Sequence, residues 1–197
     1  MNDKQLNELL LQALEHERGG VQVYTTAVAC AVNDELKEEF EKYLGETENH
    51  VAILEGLFEK VGLDPEQQSP GRRIVQETGL ALLKAMRDAQ AAGDPAAAEL
   101  VACECVVLAE TKDHANWELL EECSKKATGE LKKALTEAVE QVEDQEDEHL
   151  YHSKGWCREL WMKSLGLKSV LPPPEERKHV KTAIGAARAE QQRGDMR

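Results

Sequence analysis

Glu146 and His149 lie three residues apart within a helical pattern, at positions where the surrounding repeat calls for apolar side chains. The series Leu131, Leu135, Ala138, Val142, Glu146, His149, Ser153, Trp156, Leu160 alternates spacings of four and three, the seam of a helix packed against others. An unpaired carboxylate on such a seam is costly, or it takes up a proton instead. A metal ion removes the penalty. Glu-x-x-His on an inward helix face is the arrangement by which four-helix bundles hold paired iron or manganese ions.

Three other seams are interrupted by polar residues in the same manner. One reads Leu6, Leu10, Ala13, Glu17, Gly20, Tyr24, Val28, Ala31; the next reads Leu36, Phe40, Tyr43, Thr47, His50, Leu54, Leu57, Val61. The third reads Leu100, Cys103, Val107, Glu110, His114, Trp117, Leu120. Glu17 and His50 each stand about 16 residues from the turn between their helices, and Glu110 and Glu146 about 18 from theirs; at 1.5 Å per residue all four reach one level. The halves also echo each other, with Glu17 seven before Tyr24, Glu110 seven before Trp117, and His50 and His149 each six before a glycine.

The elements that position these residues are helices. Leu, Ala, Glu and Lys dominate the 197 residues, and β-branched residues are sparse. The spacing predicts helices over about 3–32, 34–61, 94–127 and 128–164. Asn33-Asp34 and Asp94-Pro95 supply caps, Thr128 caps the fourth helix, and Gly62 ends the second. A crossover over 63–93 carries a shorter helix at about 72–92. The expected fold is therefore an all-α four-helix bundle over residues 1–165, two antiparallel hairpins joined by one long crossover. A C-terminal tail over 166–197 follows, with Pro172-Pro173-Pro174 and a short basic helix; it either docks on an acidic bundle or moves freely.

Acidic residues outnumber basic ones 38 to 24, a formal charge of −14, which argues against nucleic acid and anionic membranes as partners. The N-terminus lacks a signal-peptide core and no apolar run reaches spanning length. Cys30, Cys103, Cys105, Cys123 and Cys157 show no metal-binding or paired spacing, consistent with free thiols and a cytoplasmic setting.

Glu17, His50, Glu110 and the Glu146/His149 pair resemble the ligand constellation of the ferritin-like superfamily of bacterioferritins and rubrerythrins. The segment Leu44-Gly45-Glu46-Thr47-Glu48-Asn49-His50 is similar to small ferritin-like proteins linked to bacterial stress responses. The resemblance covers roughly Leu6 to Leu165. It implies a di-iron or di-manganese site, with zinc as a substitute, that handles dioxygen or peroxide. Glu110 and a second carboxylate would bridge two irons, with His50 and His149 terminal. Thr47 departs from the pattern, which places Glu three residues before His50. Glu46 and His114 are the residues near enough to compensate. Single-metal binding without turnover, and a metal-free helical interaction or stress protein, fit the same residues. A homodimer is the expected assembly.

Overall fold

The computed structural model describes residues 1–196. Its helices are α1 (Asp3–Cys30), α2 (Asp34–Val61), α3 (Pro70–Ala91), α4 (Pro95–Lys126), α5 (Gly129–Ser164), α6 (Pro174–Arg177) and α7 (Ala183–Gln192), closed by a 3-10 turn (Arg193–Met196). No strand occurs among the described residues. Among the described residues no helix is long and apolar enough to cross a membrane.

Local chemistry sets the boundaries. Asn33 Oδ1 accepts the Leu36 N–H at 3.0 Å, Ser69 Oγ that of Arg72 at 3.1 Å, and Asp94 Oδ1 those of Ala96 and Ala97 at 3.1 and 3.2 Å. Pro70 and Pro95 fill first-turn positions where an N–H would be orphaned. Gly62 ends α2 with φ 69°, a left-handed conformation that glycine adopts freely. The first helix stops at Cys30 rather than Val32, because Ala31 is extended and Glu99 Oε1 accepts the Val32 and Asn33 N–H groups at 2.7 and 2.6 Å. Thr128 precedes α5 without a side-chain capping bond.

Side-chain contacts give the directions. Arg18 with Glu55 makes α1 and α2 antiparallel neighbours, and His114 with Asp147 and Trp161 with Glu104 do the same for α4 and α5. Tyr24 with Glu110 and Trp117 with Glu17 make α1 antiparallel to α4; Tyr43 with His152 and Lys60 with Glu137 make α2 antiparallel to α5. Helix α3 runs outside these four, parallel to α1 from Arg72 beside Glu15 to Gln90 beside Ala29.

The apolar interior falls into two blocks. One gathers Leu10, Leu14, Leu54, Phe58, Leu120 and Leu135; the other gathers Tyr24, Phe40, Tyr43, Met86, Cys103 and Trp156. Glu17, His50, Glu110, Glu146 and His149, all buried, lie at the level between the two blocks.

The segment after Gly166 packs on α5 of its own chain. Arg158 grips Glu175 through both guanidinium nitrogens at 2.8 and 2.9 Å, Trp156 donates to Glu176, and Lys181 reaches Glu148 at 3.1 Å. Gly155 permits the approach, since a Cβ there would sit 2.6 Å from Glu175 Oε2 and 2.9 Å from Pro173 Cβ.

Candidate metal centre

Each bundle helix contributes to one polar cluster. Two groups of ligand atoms gather within 4.8 Å of one another: Glu17, His50 and Glu146 in one, Glu110, Glu146 and His149 in the other. Glu146 belongs to both. His50 Nδ1 lies 3.5 Å from Glu17 Oε1 and 3.1 Å from Glu146 Oε1, and His149 Nδ1 lies 3.7 Å from both Glu110 Oε2 and Glu146 Oε1. Glu110 thus sits in one group only, and the shared carboxylate is Glu146.

Surrounding hydrogen bonds orient these side chains. Tyr24 donates its hydroxyl to Glu110 Oε1 at 2.7 Å, and Trp117 donates its indole N–H to Glu17 Oε1 at 2.8 Å. Outward-facing Nε2 atoms meet acceptors, Gln145 Oε1 at 2.7 Å from His50 and Glu46 Oε2 at 2.8 Å from His149. An acceptor outside assigns the N–H to Nε2 in the neutral ring and leaves the Nδ1 lone pair facing the centre.

The inward atoms have no hydrogen-bond partner. They are Glu17 Oε2, His50 Nδ1, Glu110 Oε2, both oxygens of Glu146 and His149 Nδ1. Each buried orphan costs about 1–3 kcal/mol, so the set together rivals the roughly 5–15 kcal/mol by which a domain is stable. Divalent cations at the two groups would satisfy these atoms, and the donor set of carboxylates and imidazoles fits them.

Electrostatics agree. Burial, then the charge of Asp113, pushes the Glu17 carboxyl up to about 7 and those of Glu110 and Glu146 well above the usual range. Burial opposes charge on His50, but its contacts with Glu146 and Glu17 outweigh that and hold the imidazolium up to about 11. Burial lowers His149, leaving it neutral despite Glu46. Without a cation the cluster therefore holds protons in its place.

The remaining sequence candidates take other positions. Glu46 lies on the outer edge of His149, away from the shared carboxylate. His114 is half-buried on the α4–α5 flank, 2.8 Å from Asp147, outside both groups. Thr47 is buried, its Cγ2 3.1 Å from where a Cβ on Gly20 would stand.

Asp113 is a buried acid that the seam reading missed, with Oδ1 unpartnered, and Asn116 beside it is also buried. The signal is present as a second stripe, Ala102, Val106, Ala109, Asp113, Asn116, Leu120. Residues of both stripes are buried in the fold, so either is a legitimate seam. Gln145 was missed because an outer hydrogen bond leaves no periodicity.

A family model described as Domain of unknown function (DUF892) matches residues 2–146. Neither a curated protein nor a solved structure matches the chain. The match spans Glu17, His50, Glu110 and Glu146 and ends three residues before His149. With about three-quarters of its length matched, the chain belongs to this family of unknown function, DUF892.

Proposed function

We propose that the chain is a ferritin-like, non-haem metal protein whose two hairpins hold a pair of iron or manganese ions. Glu17 and His50 would hold one ion, Glu110 and His149 the other, and Glu146 would bridge them. The observation carrying this reading is the convergence of six buried, unpartnered ligand atoms on two overlapping groups. Carboxylate and imidazole donors without thiolate suit iron and manganese, with zinc as a substitute.

When bound, such a pair supplies one-electron redox chemistry toward dioxygen or peroxide. The chain's own residues perform the rest. Gln145 and Glu46 fix the imidazole tautomers, and Tyr24 and Trp117 hold one oxygen each of Glu110 and Glu17. Glu17, Glu110 and Glu146 give up protons as the cation enters, while the leucine-rich and aromatic blocks exclude bulk water. Reductant would come from outside, and a cytoplasmic homodimer with a role in stress protection is the setting we infer.

Thr47 favours a second reading. It places a methyl and hydroxyl where the resembled pattern has a Glu, so one position would bind weakly and the protein would sequester a single ion without turnover.

Metal analysis by mass spectrometry of protein prepared without chelator, beside Glu146→Ala, decides between them. About two equivalents, lost in the variant, support the paired centre. One equivalent selects the single-ion reading. No metal, even after anaerobic Fe(II) or Mn(II) loading, overturns both and leaves a helical interaction module with a buried ionic cluster.

A further inference from the structure

A cavity of about 430 Å³ opens on the outer face of the bundle, between α1, α3 and α4. This lies within the roughly 300–1,000 Å³ typical of small-molecule sites. Val23, Val75 and Leu83 form its floor and are buried, while Ile74, Leu80 and Leu108 at its mouth are 64%, 55% and 61% exposed. Such exposure of large apolar groups around a concavity marks a place for an apolar guest.

Two glycines keep the space open. Gly19 on α1 and Gly79 on α3 both line the cavity, and a Cβ at either would meet nothing within 4 Å. Glycine is a poor residue mid-helix, and neither has the positive φ that would require it.

The charged lining specifies the guest's polar end. Glu15 is neutralised by Arg72, whose Nε lies 2.8 Å from its carboxylate. Lys112 at the rim donates to the neutral amide of Asn116 and makes no ion pair among the described residues.

We propose that this cavity binds a medium-chain aliphatic carboxylate, its chain along Val23, Val75 and Leu83 and its head group at Lys112. The site is built by α1, α3 and α4 alone and does not depend on the metal reading.

The test is calorimetric titration of the full chain with dodecanoate, 1-dodecanol and dodecylamine. One saturable dodecanoate site is expected, weakened about tenfold or more by Gly19→Leu and by Gly79→Leu, each of which fills the cavity. Both exchanges improve helix propensity, so loss of binding would not reflect loss of fold. Lys112→Gln should weaken dodecanoate about tenfold while leaving 1-dodecanol unchanged. Failure of dodecanoate to saturate, indifference to both glycine substitutions, or equal affinity for dodecylamine would overturn the proposal. So would a dimer in solution that Leu108→Asp splits and that takes up no dodecanoate, because the face would then belong to a second copy of the chain.

Discussion

His50 Nδ1 approaches Glu146 Oε1 to 3.1 Å across the bundle, yet neither atom is hydrogen-bonded. Glu146 faces His149 in the same manner at 3.7 Å, so a single carboxylate stands between two imidazoles. Glu146→Gln should therefore empty both metal positions, whereas His50→Ala should empty one. In the metal-free protein Glu146→Gln should be near neutral, because the carboxyl is already driven toward its protonated form. With metal in hundredfold excess over its dissociation constant, the same exchange should forfeit about 3 kcal/mol of linked stability. Thermal melts with and without Mn(II), beside metal counts, test both halves.

Stability should depend on pH with opposite sign in the two forms. The folded metal-free protein keeps the Glu17 proton up to about 7, against an ordinary value of 4.5. That contribution is complete below 4.5 and is lost as pH rises through 7. Glu110, Glu146 and His50 are raised as well and act in the same direction; His149, lowered by burial, opposes them. Metal-loaded protein must expel these protons and should gain stability with pH. Urea midpoints at pH 5 and pH 8 should fall without metal and rise with Mn(II); slopes of one sign would contradict the proton-for-metal exchange.

Thr47→Glu would put a fourth carboxylate one turn before His50, in a buried position. Without metal it should destabilise by several kcal/mol, since the new acid enters an already crowded acidic layer. With Mn(II) or Fe(II) the loss should be recovered and metal retention should rise about tenfold, a gain of about 1.4 kcal/mol read by chelator competition.

Gly155→Ala isolates the C-terminal segment. Its Cβ would collide with Glu175, which Arg158 grips from two sides and which therefore yields poorly. A destabilisation of about 1–3 kcal/mol is expected, with faster proteolysis after Gly166 and unchanged metal content. Loss of metal from this variant would mean that the segment supports the centre directly.

Helix ends were legible because their signals are local: Asn33, Gly62 and Asp94-Pro95 act on backbone groups within four residues. Glu17, His50, Glu110, Glu146 and His149 were legible because burying ionisable groups breaks an apolar repeat. Glu46 and His114 were harder to place, since a helix face fixes direction but not which neighbour a long side chain meets. Asp113 escaped because two adjacent stripes of α4 are buried, and no single-helix pattern reveals what will cover each of them. Contacts of the segment after Gly166 depend on Gly155 and Arg158, whose relevance appears only once the chain has folded back.

His50 is held by Gln145 of the opposite hairpin, and His149 by Glu46 of the first. Each half of the molecule thus carries the part that aims the other's imidazole. During synthesis His50 is made 95 residues before Gln145, and in that interval its orienting partner is missing. On the proposed reading, metal capture would therefore be a late event, open only to a chain whose two halves have already found each other, and a truncated product would not hoard ions.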